Sequence, residues 1–475
     1  MMKYIYNQKI LRLLLSGLLI ISLASCKKGG AESKPVVKPP VVVTPPPSYS
    51  DPAAYGTPFA GVPAQKDMVM YEVNIRSFSQ QANFQGVINR LDSIKALGVN
   101  VIWLMPTFPV GVLKSVPPLG SPYAVKDYTA VNTEFGDLTS LRKLVDLAHE
   151  KNMAVIFDWV ADHTSWDNDW IKNKSWYLQD AAGNIINPPG TNWADVAALN
   201  YNNADMKTAM LRALRYWIFT ANIDGYRCDY ADAVPDDFWQ STIANLNAIP
   251  NRKLIFLAEG NKKAQFGDGF QLNYAFDFYE NLKGIFADKK TPSTLFATQT
   301  SEMNNVANGG TKLRYTTNHD KNNEDGSPAT VYNNKFGSEA AFVLSSCLDG
   351  VPLLYNGQEV ATDKLMSIFT KDPINWAVNP DVTAAYKKIL SFRKTNEAVK
   401  TGTITPYYDA DVVAFKKTLQ GKSVLVLVNV HNKTVIFNIP EALKGSAWLD
   451  IDKKQFTLSD NVTLQPYEYK LLSEK

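Results

Sequence analysis

From Met68 to about Lys394 the chain repeats one unit, a short apolar run followed by a stretch with apolar residues at helical spacing. The runs predict strands at Met68–Val73, Val99–Leu104, Ala154–Val160, Gly225–Asp229, Leu254–Ala258, Leu272–Phe276, Leu313–Thr317 and Val351–Tyr355. Between them, Val87–Leu97, Leu138–Lys151 and Asp205–Ala221 carry helical periodicity, with Leu141, Leu144, Val145 and Ala148 on one face. Strands and helices in such alternation predict an α/β fold, a (β/α)8 TIM barrel, whose chemistry lies at the C-terminal ends of its strands. A doubly wound open sheet would need a glycine-rich phosphate turn after the first strand. Tyr71-Glu72-Val73-Asn74-Ile75-Arg76 offers none.

Two segments break the repeat. Residues 164–203, between the third strand and its helix, are rich in Trp, Asn, Asp and Gly, and a loop of about forty residues inside a compact domain is usually functional. They predict an inserted domain. From about Gly402 the period becomes two, through Val412–Phe415, Ser423–Val428 and Thr434–Phe437, which predicts a C-terminal antiparallel β domain, a β-sandwich over 401–475. The barrel, with its insertion, is expected over 61–400.

The N-terminus carries an address. Lys3 and Lys9 precede an apolar run from Ile10, followed by Leu23-Ala24-Ser25-Cys26. A run this short with small residues at its end predicts a secretory signal rather than a spanning helix. The ending resembles a bacterial lipobox, which implies that residues 1–25 are removed and Cys26 becomes the lipidated first residue. Prolines from Pro35 to Pro47 predict an extended tether over 26–60. No later segment approaches the roughly 20 unbroken apolar residues of a spanning helix. A protein held to a bacterial membrane by lipid alone, on the periplasmic or cell-surface side, is therefore expected. Cys228 and Cys347 are expected as buried apolar residues. With 45% hydrophobic and 20% charged residues the chain has ample core, and a net charge of +3 is too near neutral for a nucleic-acid binder.

Polar residues collect at the predicted strand ends: Asp158-Trp-Val-Ala-Asp162-His163, Gly225-Tyr-Arg227-Cys-Asp229, Leu257-Ala258-Glu259 and Thr317-Asn318-His319-Asp320. Acids are costly to bury unless paired or used. Arg227 and Asp229 alternate on one strand, so they share a face, and the guanidinium favours the ionised carboxylate that a nucleophile needs. Glu259 follows an apolar run, where desolvation favours the protonated form that a general acid needs. Two carboxyls with opposite requirements suit glycoside hydrolysis.

In this order the clusters resemble the motif regions of the α-amylase family, glycoside hydrolase family 13. Ser121-Pro-Tyr123, Asp127-Tyr128, Phe135-Gly136-Asp137 and Val351-Pro-Leu-Leu-Tyr355-Asn-Gly357-Gln-Glu359 add to the match. The resemblance implies a retaining hydrolase of α-1,4-glucans, most simply an α-amylase. A cyclomaltodextrinase, an α-glucosidase or a glucanotransferase is the alternative within the family, and a non-catalytic glucan-binding lipoprotein the alternative outside it. By resemblance Asp229 would be the nucleophile, Glu259 the acid and base, and Asp320 a stabiliser of the distorted ring. Tyr123, His163, Arg227 and His319 would surround the sugar.

The sequence also departs from the family. Asp232 and Ala233 stand where a Lys-His pair is usual on the leaving-group side. Asp162 replaces an Asn, and Val196-Ala197-Ala198-Leu199 replaces an acid-containing segment. The calcium site of many relatives is therefore expected to be incomplete, and no cofactor is predicted. Trp166, Trp170, Trp176, Tyr177 and Trp193 of the insertion fit equally a small core or a platform for sugar rings. The β domain is expected to pack on the barrel rather than to bind starch.

Overall fold

The computed structural model describes residues 50–475, and in it the apolar runs close into a barrel. Strands β1 (Met70–Val73), β2 (Val101–Leu104) and β3 (Ala154–Val160) are followed by an excursion in which β4 (His163–Ser165) pairs antiparallel with β5 (Val196–Ala198). Then come β6 (Gly225–Asp229), β7 (Ile255–Ala258), β8 (Leu272–Tyr274), β9 (Thr311–Arg314) and β10 (Val351–Tyr355). Around the barrel the order is β1-β10-β9-β8-β7-β6-β3-β2, all parallel. Both faces of these strands are buried, which is why they read as unbroken apolar runs. Met70, Trp103, Ile156, Leu257 and Leu353 fill the interior, while Tyr71, Ile102, Val155, Phe256 and Leu354 meet the surrounding helices. Gly225 starts β6 at φ +140, where a Cβ would lie 1.9 Å from the Ile255 carbonyl oxygen, so β6 and β7 can approach this closely only through glycine.

Some boundaries differ from the sequence reading. β9 ends at Arg314, and the predicted strand end Asn318 instead caps the helix His319–Asp325, accepting the Lys321 N–H at 2.8 Å. β8 ends at Tyr274, since Phe276 begins the next helix. The stretch 87–97 is two helices, Phe84–Ile88 and Leu91–Leu97, broken at Asn89 and Arg90. Residues 51–60, read as the end of the tether, are docked on the barrel: Arg215 holds Asp51 at 2.5 Å and the Tyr55 hydroxyl donates to Asp146 at 2.6 Å. The predicted signal segment, Cys26 and the preceding part of the tether lie outside the described residues. Among the described residues no helix is long and apolar enough to cross a membrane. Cys228 and Cys347 are buried free thiols in the main core.

Beyond the barrel, β11 (Thr403–Tyr407), β12 (Val412–Leu419) and β13 (Lys422–Asn429) lead into a two-stranded sheet of β14 (Val435–Asn438) and β17 (Asn461–Leu464). Strands β15 (Trp448–Leu449), β16 (Gln455–Phe456) and β18 (Tyr469–Glu474) complete a six-stranded sheet ordered β11-β12-β13-β18-β15-β16. One face, through Val412, Leu425 and Leu427, packs on Val435, Phe437 and Leu464. The other, through Val413, Phe415, Val424 and Val426, joins the core formed by the barrel helices. The Lys417 ammonium, buried in that junction, reaches Asp349 at 2.7 Å.

Glu339, on the helix Lys335–Cys347 beside this junction, is buried, and desolvation together with Asp381 pushes its pKa up to about 7. An acid raised above its usual value of 4.5 adds its full stability below that pH and loses it as pH rises through about 7. Glu339→Gln, which keeps a neutral side chain, is expected to leave Tm unchanged at about pH 4 and raise it by roughly 1–3 °C at pH 8.5, read by calorimetry.

Candidate active site

Strand register assembles the site. In the β3–β6 pair Asp158 faces Arg227 and Val160 faces Asp229; in the β6–β7 pair Cys228 faces Ala258, which brings Glu259 beside Asp229. Three acids distant in sequence thus meet around one fully buried guanidinium. Nη1 of Arg227 donates to Asp158 at 2.8 Å and to Asp229 at 2.6 Å, and Nη2 forms an ion pair with Glu259 at 2.9 Å. Its Nε donates to the Tyr274 hydroxyl at 3.2 Å, and the group lies 5.0 Å from the centre of the Trp103 ring.

A second chain of contacts crosses the barrel mouth. His319 Nδ1 donates to Glu72 at 2.6 Å, and its Nε2 meets the Tyr123 hydroxyl at 2.7 Å. That hydroxyl donates to Asp158 at 3.1 Å, as does the Trp103 indole N–H. Burial alone would lower the His319 pKa, but Asp320 and Glu72 outweigh it and hold the value near about 10. The ring is therefore an imidazolium, with both N–H groups donating. Tyr123 stacks on it with centroids 5.3 Å apart. Asp320, in the first turn of the capped helix, lies 3.4 Å from His319 and is half exposed to the mouth. On the opposite side His163 Nδ1 donates to Asp162 at 2.8 Å and Nε2 to the Tyr123 carbonyl at 3.2 Å. Every predicted site residue within the described chain thus lies at this mouth.

Burial changes the expected protonation. Desolvation pushes Asp229 up to about 6, because it exceeds the lowering by Arg227, and Asp158 and Asp162 add to it. The sequence reading gave Arg227 the larger influence. Glu259 is pushed further, to about 7, by desolvation against Arg227, with Asp229 and Asp320 contributing. At neutral pH the pair thus holds one carboxylate and one partly protonated acid.

The α-amylase catalytic-domain family matches residues 56–184 and 191–401. This chain belongs to that family. It is 26% identical to Alpha-amylase 2 of Dictyoglomus thermophilum over 78% of this chain and 68% of that protein. Alpha-amylase 3 of the same organism is 24% identical over 85% of this chain and 93% of its own length. A cyclomaltodextrinase of Thermoanaerobacter pseudethanolicus is 26% identical over 76% of this chain, which spans 65% of that protein. Among solved structures, an α-amylase from Lactobacillus plantarum superposes with a TM-score of 0.77 at 25% identity, covering 86% of this chain and 99% of that one.

Within this α-amylase-family site the residues do not suit the calcium of many relatives. One Asp162 oxygen is taken by His163, and Val196–Ala198 present only apolar side chains. Asp162, His163 and Asp229 are the one group of potential metal ligands that converges among the described residues. It includes a ring nitrogen committed to a hydrogen bond, unlike the all-oxygen shell of calcium. In the insertion Tyr177 is buried in the main core, and the half-buried Trp170, between Tyr128 and Trp176, packs against that core together with Trp176. Trp193 instead lies at the mouth, edge-on to His163 at 5.7 Å. Trp193 thus takes the platform position that the sequence left level with core, while Glu72 and Tyr274 are site residues that the sequence reading missed. For Glu72 the signal was present, a lone acid inside the apolar run of β1.

Proposed function

We propose that the protein is a retaining hydrolase of α-1,4-linked glucans, acting as an α-amylase on starch and maltooligosaccharides. The observation that carries this reading is the grip of a single guanidinium on both Asp229 and Glu259. It favours the close spacing of retaining enzymes, about 5–5.5 Å, over the wider gap that inversion requires for water. Asp229 attacks the anomeric carbon and Glu259 protonates the leaving oxygen through its raised pKa; in the second step Glu259 takes a proton from water, and the sugar leaves Asp229 with net retention. Asp320 and the His319 imidazolium bind sugar hydroxyls, and His163, Arg227 and Tyr123 hold the ring and the nucleophile in place. The names of the relatives support an α-glucan substrate. Cyclomaltodextrinase action is the neighbouring reading, supported by the relative that bears that name.

The test is incubation of residues 27–475 with amylose in EDTA. An early fall in chain length with maltooligosaccharides released supports endo-acting amylase action. Release of small sugars from maltooligosaccharides while amylose stays long moves the reading to cyclomaltodextrinase or α-glucosidase action. Binding of amylose without any turnover, with calcium restored, leaves the glucan-binding lipoprotein. The lipobox resemblance supports anchoring through Cys26, and metabolic labelling with a fatty acid, lost in Cys26→Ser, checks it.

The protonation states fix a pH profile. Activity needs Asp229 ionised and is lost as pH falls through about 6; it needs Glu259 protonated and is lost as pH rises through about 7. The expected kcat/KM profile is a narrow bell centred between these values, its limbs belonging to the pair as a unit.

A further inference from the structure

Glu259 opens the loop between β7 and the short helix Ala264–Asp268, and this loop is held by its backbone as well as by the acid's carboxyl. The Glu259 N–H donates to the Cys228 carbonyl, and the Ala231 N–H donates back to the Glu259 carbonyl, each at 2.9 Å. On the other side the Tyr274 N–H donates to the Gly260 carbonyl at 2.9 Å. The carboxyl itself accepts the Tyr230 N–H on Oε2 at 2.7 Å and pairs with Arg227. Backbone from the ends of β6 and β8 thus converges on the two residues Glu259 and Gly260.

Side chains complete the grip. Asp232, one of the two residues that depart from the family's Lys-His pair, turns its carboxylate onto this loop. Its Oδ1 accepts from Gln265 Nε2 at 2.7 Å, and both atoms press on Gly260. A Cβ there would lie 2.5 Å from Asp232 Oδ1 and 2.2 Å from Gln265 Nε2, so only glycine lets them approach this closely. Gln265 Oε1 accepts from Asn273 Nδ2 at 2.9 Å, and the same Asn273 nitrogen donates to the Lys262 carbonyl at 3.2 Å. The Lys262 ammonium closes the ring by donating to the Asp232 carbonyl at 2.6 Å. Gln265 and Asn273 are 1% and 0% exposed. A buried amide that loses its acceptor must turn to find another or stay unsatisfied, so the Asp232 carboxylate fixes the groups behind it.

We propose that Asp232, acting through Gln265 and Asn273, is a positioning residue for Glu259: it clamps the loop that carries the acid and base, so that the carboxyl meets the leaving oxygen in line. This rests on Glu259 as acid and base. Arg227 and the Tyr230 N–H hold the carboxyl group, while the clamp holds the backbone from which it projects. Proton transfer in the transition state demands hydrogen-bond reach to the leaving oxygen, and a displacement of about 1 Å can cost roughly a hundredfold in rate. The cost falls on leaving groups that need the proton and spares those that depart without it.

The test measures kcat/KM for phenol release from aryl α-maltosides, from 2,4-dinitrophenyl, which leaves without a proton, through 4-nitrophenyl to phenyl, which needs one. In Asp232→Ala and, separately, Gln265→Met, kcat/KM on the phenyl maltoside is expected to fall roughly 10- to 100-fold, while that on the dinitrophenyl maltoside stays within about threefold. The dependence of rate on leaving-group acidity thus steepens toward that of Glu259→Ala, which lacks the acid. Asp232→Asn, which keeps an oxygen to accept from Gln265, is expected to restore the shallow dependence. A loss of equal size across the series in both variants marks a purely structural role and overturns the clamp, as does no loss at all. A steepening in Asp232→Ala that Asp232→Asn shares in full overturns the hydrogen bond to Gln265 as its cause. If Glu259→Ala itself lowers all the maltosides equally, the acid assignment fails, and the clamp fails with it; a steepening in Glu259→Ala alone removes only the clamp.

Discussion

Asp229→Ala is expected to lower kcat on maltooligosaccharides by roughly ten-thousandfold or more, the scale seen when a nucleophile is removed from a preorganised site. The variant should stay folded, because Arg227 retains Asp158 and Glu259 as partners and the deletion removes one of three charges around one cation. The loss is chemical in origin, so chemistry should repair part of it. Azide is small enough to enter the space left by the carboxylate and attack the anomeric carbon from the same face. One displacement inverts the centre, so the rescued product is a β-glycosyl azide, identified by proton NMR. Activity within about tenfold of the unsubstituted enzyme would remove Asp229 from the nucleophile's role.

Arg227→Met is expected to act on stability and chemistry together. The guanidinium is fully buried and is the cation shared by Asp158, Asp229 and Glu259. Breaking a buried ion pair by removing one partner typically costs about 3–5 kcal/mol, since the remaining charge stays buried. Here the acids take up protons instead, and their pKa values, already raised by desolvation, rise further once the opposing charge is gone. The expected result is a Tm lower by several degrees, with the smallest deficit at acidic pH where the carboxyls are neutral. Residual activity should have its acid limb moved above pH 6. Arg227→Lys is expected to resemble Arg227→Met more than the unsubstituted enzyme, because one ammonium lacks the fork that reaches three carboxyls and Tyr274 at once. Unchanged thermal unfolding and an unmoved acid limb in both variants would contradict the shared-cation account.

The barrel was legible because its strands are buried on both faces, so eight apolar runs stood out between helical stretches. The carboxylates were legible for the converse reason: an acid at the end of such a run is conspicuous. Register was not legible. Nothing local says that Asp158 lies opposite Arg227, or that Glu259 follows the residue paired with Cys228, yet these pairings build the site. Electrostatic balance was legible only in part. Arg227 lies two residues from Asp229, so its lowering influence could be read, whereas the larger desolvation comes from elements brought together by the fold. Asn318 looked like a strand end because Leu313, Tyr315, Thr316 and Thr317 favour a strand, but its side chain caps a helix and starts the turn that carries His319 and Asp320. The meeting of Trp193 with Tyr230 joins two loops without any periodic signal, and composition alone left the insertion's tryptophans divided between core and platform.

The most direct test of the central claim is to trap the covalent intermediate. A 5-fluoro-α-glucosyl fluoride loads the nucleophile through its good leaving group, while the ring fluorine slows release by destabilising the oxocarbenium-like transition state. Peptide mapping by mass spectrometry then locates the label. The account predicts one fluoroglucosyl group per molecule, on Asp229, with loading abolished in Asp229→Ala. Turnover of maltooligosaccharides accompanied by a label on another residue, or by products released first in the β configuration, would contradict it.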